Sequence, residues 1–596
     1  MNGSNCYAGK ILRVDLSSGT VATEPLNEAW ARDFIGGKGL GFRYLIDALG
    51  GNVDPLSPDN VLAFFPGVLA GTPVATTART AVLCRSPATG TILDSYVGGA
   101  FGLQLKMAGY DGVIVTGRAR RPSYLLILDD QVDIRGAAAV WGKGIWETDT
   151  WLKEQAGEEH LVSLVTGPAG ENQVPFACLT SEAYRQAGRG GVGAVFGSKN
   201  LKAIAVHGTG SVRVPDMQSF MAMYHDILQN HVLTGDNLWA YDEGTPVIVE
   251  LSQGAGLLPT RGFSEGTFEG AESIDSASIQ KRKQGNRACA ACPLACGQLT
   301  QNADGLMEGP EYETLGLAGS NCGMDDLDAI AAFNRLCDNL GLDTISTGNV
   351  LGLAMLMAQE GIHDFGVHFG NAEEYLTATE NIAYRRGVRA ELAQGARHIA
   401  QQYGAEHLVM ESKGLEFPAY DPRGSYGMAL AYCTADRGGC HMRAFPVGDD
   451  AFADGDPYTL EGKAQAVAEG QDFNSIKWTG IFCDFWAISG EDIARLISGG
   501  TGHTYTEEEL LTVGERIWNL GRIFNVREGF SRKDDIPPPA IFDRPLPEGA
   551  AAGKNFTREE YDTALGEYYQ LRGWTKDGIP TKKKLAALGL DGLVPS

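Results

Sequence analysis

The chain is short of positive charge. Lys and Arg number 49 against 74 Asp and Glu, for a net charge of −25 and a pI near 4.8. That argues against a nucleic-acid partner, because phosphate binding needs a basic surface. It also has no apolar run near the ~18–20 residues that a spanning helix needs. The opening MNGSNCYAGKILRVDLSSG has no apolar core of the kind a secretory signal carries. A cytoplasmic protein is therefore expected, with its 11 cysteines reduced, buried or metal-bound rather than paired as disulfides. No solenoid-type repeat and no low-complexity segment is evident. What is in excess is glycine, 78 of 596 residues against a usual ~7%. Such an excess marks places where backbone turns tightly or approaches a ligand closely.

Short β-type runs crowd residues 1–208: ILRVDL, VLAFFPGVL, TAVLCRS, GVIVTG, YLLILDD, LVSLVTG and KAIAVHG. Gly, Pro, Asn or Asp bound them, and no long helices alternate with them, so a mostly antiparallel or mixed sheet is expected. From about residue 209 the pattern turns helical. DDLDAIAAFNRLCDNLGLD carries apolar residues at Leu327, Ile330, Ala331, Leu336 and Leu340. Asp325 or Asp326 suits the N-cap and Gly341 the C-terminal stop. Helical periodicity recurs in NAEEYLTATENIAYRRG, RAELAQGARHIAQQYG and EEELLTVGERIWNLGRIFNVREG. ESKGLEFPAYDPRG reads as a crossover and DDIPPPAIFDRPLPEG as a proline-rich surface loop. The expected class is α+β: a β-sheet domain over 1–208, then two mainly α-helical domains over 209–415 and 416–596.

RACAACPLACGQ places Cys289, Cys292 and Cys296 within eight residues. Clustered thiolates favour an iron–sulfur cluster or zinc. Zinc wants a fourth ligand close by, in a second paired motif, and only Cys322 and Cys337 stand near, at odd spacing. The x₂-then-x₃ order does not suit a radical-SAM cluster. A 4Fe-4S cluster with a distant fourth ligand fits best; zinc and coincidental core cysteines stay open. GRGGVG at 188–193 matches G-x-G-x-x-G, but AYRQA precedes it rather than a hydrophobic strand, so a Rossmann reading is weak. With flanking arginines, this stretch and ARTAVLCRSPATGTILDSYVGGAFG could offer amides and guanidinium groups to a phosphate-bearing ligand.

C-x-x-C-P-x-x-C, then GPEYET, then DNLGLD together resemble the tungsten-containing aldehyde ferredoxin oxidoreductase family, over about residues 8–590. The resemblance implies a first domain whose sheets form a base for a tungsten bis-pyranopterin (tungstopterin). It places Arg79, Tyr96, Gly98, Arg185, Gln186, Gly188 and Arg189 against that cofactor, and Mg2+ on the backbone carbonyls of Tyr96 and Gln186, bridging the pterin phosphates. Asp338, Asp343 and the Leu342 backbone would hold one pterin, since a carboxylate suits its amino and ring N–H donors. Cys483, in GIFCDFW, takes the place of the fourth cluster ligand. The second copy of the pterin motif reads WTGIFC: Trp478 stands where Asp is expected and Ile481 where Gly is usual. Asp484 is the nearest remaining carboxylate. FIGGKGL also resembles the family but shows no evident chemistry.

The resemblance further implies an acid–base pair near the metal, Glu313 and His441, with Glu311 as the fallback. His441 would polarise the aldehyde oxygen and Glu313 would take a proton from water. The implied reaction is oxidation of an aldehyde to a carboxylic acid, with electrons passing through the cluster to ferredoxin or a ferredoxin-like subunit, in an oligomer or multi-subunit complex. No E-x-x-H occurs, so the family's shared mononuclear iron is not expected. QKRKQGNR, with Lys281, Arg282, Lys283 and Arg287, is a candidate guide for the acceptor. Two alternatives are the tungsten subunit of a dearomatising aryl-CoA reductase and a non-catalytic iron–sulfur electron carrier.

Overall fold

The computed structural model describes residues 5–234 and 238–593. Its first domain is built from two six-stranded sheets. The first holds β1 (Lys10–Asp15), β2 (Thr20–Pro25), β3 (Leu62–Pro66), β4 (Thr80–Arg85), β5 (Ile92–Val97) and β6 (Gly112–Thr116) in the order β2-β1-β6-β3-β4-β5. The second holds β7 (Ser123–Leu128), β8 (Gln131–Gly136), β9 (Val162–Thr166), β10 (Leu179–Ser181), β11 (Arg185–Ala187) and β12 (Leu201–His207) in the order β8-β7-β12-β9-β10-β11. Each order is the other shifted by six. The strand directions agree as well: β1–β6 and β7–β12 are the parallel pairs and the remaining neighbours are antiparallel. The domain is thus two sheets of one topology, although no repeat is evident in the sequence.

The runs rich in Val, Ile, Leu and Phe became strands because both faces are covered. Leu62–Pro66 and Val162–Thr166 are buried along their whole length. Leu12, Val14, Leu62 and Phe64 of the first sheet meet Leu125, Ile127, Leu164 and Ile204 of the second in a shared core. The other face of the first sheet packs on the C-terminal helices through Ile476, Ile517, Leu520 and Phe524. The tip of the second sheet joins the largest core, which runs through the helical region to Trp574. The edge strands β5 and β11 lie against each other.

The remainder is mainly helical. Asp326, not Asp325, caps the helix Leu327–Leu340, and Gly341 ends it at φ +75. A capping box of Thr506 and Glu509 starts the helix Glu507–Arg527. Three expectations need correction. RAELAQGARHIAQQYG is α-helical in its second half only: 3-10 turns at Val388–Ala390 and Leu392–Gln394 precede Gly395, whose φ of +92 breaks the run before Ala396–Tyr403. DDIPPPAIFDRPLPEG is not merely a surface loop: Asp535 is fully buried and pairs with both Lys413 and Arg522 at 2.8 Å. FIGGKGL is also functional in the fold. A side chain on Gly37 would meet the Trp478 carbonyl at 2.5 Å, so this glycine turn lets the C-terminal region seat directly on the first sheet.

Candidate active site

Two helix ends close the site, one on each sheet. Gly341, after the helix Leu327–Leu340, accepts from the Cys178 amide at 2.9 Å, and the Asp343 amide donates to Phe176 at 3.1 Å. Ile481 ends the helix Lys463–Gly480 at φ +60, and the Cys483 amide donates to the Thr76 hydroxyl at 3.4 Å. The motifs DNLGLD and WTGIFC therefore occupy matching places. Asp338 and Trp478 each lie three residues before the left-handed stop. Asp338 accepts from Gln186 and, at 3.1 Å, from Asn334. Trp478 instead stacks on Tyr96, with ring centroids 3.9 Å apart.

Between them lies a cavity of about 230 Å3, walled by Arg79, Tyr96, Arg185, Glu308, Glu311 and Asp338, with Gln186, Gly98, Cys289 and Cys296 on its surface. A larger hollow of about 450 Å3, beside Tyr458 and Phe556, lacks any such set of charged groups and thiols. Gly98 has no room for a side chain: a Cβ would meet the Cys289 sulfur at 2.8 Å and Arg185 at 3.2 Å. Gly188 has ordinary room, its nearest neighbour being Asp343 at 3.6 Å. Arg185 pairs with Glu308 at 2.7 Å. Burial lifts Glu308 to about 7 despite that arginine, and its second oxygen, 4.0 Å from Arg287, has no hydrogen-bond partner among the described residues.

The four expected cluster cysteines are brought together. Burial pushes Cys292 up to about 11, and the charges of Cys483 and Cys289 add to it. Burial also raises Cys296, with Glu311 and Cys483 adding to it. Burial raises Cys483 as well, against the pull of Arg79. Among the described residues, no three His, Cys, Asp or Glu side chains converge as the ligands of a single ion. Arg79 faces Cys483, Cys289 and Asp484, which raise its pKa against burial. Asp484 lies 3.7 Å from Lys477, with one buried oxygen unpaired among the described residues.

GPEYET sends its two outer carboxylates to different places. Glu311 accepts from Thr245 and faces Arg185 and Arg79. Glu313 accepts from the Ala419 amide at 2.9 Å and stands 3.7 Å from Nδ1 of His441. Burial pushes Glu313 up to about 7. Burial, then Arg189, Arg437 and Arg443, push His441 down to about 3. At neutral pH the histidine is uncharged, so the pair is not a salt bridge. The facing Oε1 of Glu313 and Nδ1 of His441 are both buried without a hydrogen-bond partner among the described residues. Tyr420 packs beside them, 5.5 Å from the imidazole.

Two expected cofactor contacts are engaged elsewhere. Asp343 caps the helix Thr344–Gln359, accepting from Ile345 and Ser346 at 3.2 and 3.1 Å. Arg189 donates to the carbonyls of Gly439 at 2.7 Å and Glu416 at 2.5 Å. Leu342 forms a bridge with Ala177. Of the basic run, Arg282 pairs with Asp328 at 2.5 Å, Lys283 donates to Tyr241 and Asp242, and Arg287 donates to Glu182; Lys281 is exposed.

Sequence reasoning missed a buried ionic network behind the site. Lys38 of FIGGKGL lies 2.5 Å from Asp436 and 3.6 Å from Asp94, and Arg443 joins the same two carboxylates. Burial would raise Asp436, but Arg443 and Lys38 hold it far below its ordinary value. Arg437 donates to the Asp94 carbonyl at 2.7 Å and to the Cys440 sulfur at 3.0 Å. The signal was present in RGGCHMR: two arginines around a histidine, in a segment otherwise apolar, need buried acids as partners.

The two arginines and three carboxylates that line the cavity suit a polar, charged ligand. Buried polar atoms of Glu308, which lines the cavity, and of Glu313, His441, Trp478 and Asp484 have no hydrogen-bond partner among the described residues, and such an atom costs ~1–3 kcal/mol unless something satisfies it.

Comparison with known proteins gives a consistent answer. Residues 11–208 match the family model for the aldehyde ferredoxin oxidoreductase N-terminal domain, and residues 220–590 match that for its domains 2 and 3. The chain is 39% identical to the tungsten-containing aldehyde ferredoxin oxidoreductase of Pyrococcus furiosus over 98% of both chains. It is 38% identical to the one of Thermococcus kodakarensis, again over 98% of both. In shape it resembles the active-site complex BamBC of benzoyl coenzyme A reductase, with a TM-score of 0.85 and 26% identity, covering 99% of this chain and 98% of that one.

Proposed function

The chain belongs to the aldehyde ferredoxin oxidoreductase family, and on that premise we propose that it oxidises an aldehyde with water to a carboxylic acid. The observation that carries the reading is the buried Glu313–His441 pair, 3.7 Å apart, with its facing atoms unpaired among the described residues. In this reading Arg79, Tyr96, Gly98, Arg185, Gln186, Gly188 and Asp338 hold a tungsten bis-pyranopterin, and Cys289, Cys292, Cys296 and Cys483 hold a 4Fe-4S cluster. The edge strands β5 and β11 lie against each other, and the Tyr96 and Gln186 carbonyls on them would hold the Mg2+. Thiols that feel one another's charge without converging on one point suit a cluster better than zinc, which needs four ligands within ~2.0–2.3 Å.

When bound, the tungsten centre supplies the two-electron acceptor. The chain supplies binding, orientation and proton handling. Aldehyde plus water loses two electrons and two protons to become the acid. Neutral His441, kept uncharged by burial and by Arg189, Arg437 and Arg443, donates to the aldehyde oxygen and stabilises the negative charge that grows there. Glu313, tuned to about 7, accepts a proton from the attacking water near the pH at which a base works best. Glu311 faces Arg185 and Arg79 instead, which favours Glu313 as the base. The cluster that the four cysteines would hold would supply the route for electrons to ferredoxin or a ferredoxin-like subunit in the cytoplasm.

The test is aldehyde-dependent viologen reduction by protein purified without oxygen. Glu313→Gln is expected to lower kcat by ~10²–10⁴ with tungsten and iron contents unchanged; wild-type kcat in that variant rejects the assignment. The shape likeness to the benzoyl coenzyme A reductase complex favours a second reading, reduction of an aryl-CoA thioester. Turnover of such a thioester, with none of any aldehyde, would select it.

A further inference from the structure

The matching sheets allow the two sides of the site to be compared residue by residue. Tyr96 lies opposite Ala81, the second residue of β4. Gln186 lies opposite Thr180, the second residue of β10. They hold the same place in the two halves. Each meets the residue three before a left-handed helix stop: Gln186 donates to Asp338, and Tyr96 stacks on Trp478. A polar pair on the second sheet is thus matched by an aromatic pair on the first.

The aromatic pair leaves one group unsatisfied. The indole Nε1 of Trp478 is buried, and no partner for it exists among the described residues. Trp478 itself is only 3% exposed. The Arg79 guanidinium, which lines the cavity, stands 6.0 Å from the Trp478 ring. An indole can only donate, whereas an ionised carboxylate can only accept.

We propose that Trp478 is a cofactor-binding residue. It grips the pterin that rests on the first sheet through an acceptor atom, a ring nitrogen or carbonyl oxygen, whereas Asp338 takes the amino and ring N–H donors of the other pterin. The two pterins are therefore held by opposite hydrogen-bonding chemistry. Ile481 fits the same account. Its left-handed φ of +60 is costly for a β-branched residue, and its buried side chain packs into the core under the first sheet, holding the Trp478 end in place.

The inference rests on the reading that a tungstopterin binds here, and its test keeps the two apart. Full-length wild type, Trp478→Phe, Trp478→His and Trp478→Asp are produced with tungstate and passed through a desalting column without oxygen. Tungsten, released pterin and iron are then counted per chain, with circular dichroism reporting the fold. Trp478→Phe keeps an aromatic ring but loses the N–H, and is expected to retain several-fold less tungsten and pterin at unchanged iron. Trp478→His restores a donor and should retain near wild-type amounts. Trp478→Asp adds a negative charge, and the tungsten midpoint potential should fall in a redox titration followed by electron paramagnetic resonance. Full tungsten and pterin in Trp478→Phe overturns the inference, as does equal loss in Trp478→Phe and Trp478→His. Wild type without pterin overturns the functional reading itself, and this inference with it.

Discussion

Single residues set the chemistry of this site through burial. Glu313 is a carboxylate that water would keep ionised at neutral pH, yet desolvation lifts it to about 7. A protonated carboxyl cannot take a proton from water, so kcat/KM should climb with pH through an acid limb near 7. That limb should vanish in Glu313→Gln. His441, held down to about 3 by burial and three arginines, should add no limb near neutrality. A pH–rate profile of the wild type and the variant checks both expectations. Gly98 makes a different point, about space. Its Cβ would meet the Cys289 sulfur at 2.8 Å, so Gly98→Ala should displace that cysteine. Iron per chain should fall while the tungsten held mainly by other residues falls less; unchanged iron would show that the loop simply yields.

At the scale of elements, the site depends on how two helices stop. Gly341 leaves the helix Leu327–Leu340 at φ +75, and a Cβ there would meet the Gly167 amide at 2.8 Å. Gly341→Ala should therefore lose ~1–2 kcal/mol for the left-handed backbone plus the cost of that clash. Hydrogen exchange should quicken in the last turn of this helix and at Cys178, whose amide donates to Gly341. At the start of the same helix, Asp326 accepts from the Asp328 and Ala329 amides. Asp326→Ala should cost ~0.5–2 kcal/mol and lower the melting temperature without touching the active site.

The whole molecule carries a net charge of −25, which repels an acidic electron acceptor at long range. The basic run before Cys289 offsets this less than its sequence promises, because Arg282 is paired to Asp328 and Lys283 and Arg287 are bonded to backbone carbonyls. Exposed Lys281 is the residue left to guide an approach. Lys281→Glu should slow reduction of an acidic ferredoxin several-fold at low salt, with the difference shrinking as salt screens it. Viologen reduction should not change, and equal ferredoxin rates at low salt would remove Lys281 from the acceptor's path.

Much of this protein was legible from local spacing. Val- and Ile-rich runs between turn residues marked the strands, Asp and Gly marked the ends of Leu327–Leu340, and three cysteines within eight residues marked a soft-metal site. These features depend on neighbours along the chain, so the sequence carries them directly. Other features were decided only when distant segments met. FIGGKGL looked inert until Lys38 reached Asp436 and Gly37 admitted the Trp478 carbonyl. Resemblance alone favoured Glu313 over Glu311, and only the fold turned one toward His441 and the other toward Arg185. The match between Tyr96–Trp478 and Gln186–Asp338 appears only once two sheets of unlike sequence adopt one topology. A pairing of this kind depends on which surfaces burial forces together, and many sequences can build the same sheet, so nothing in the spacing of single residues records it.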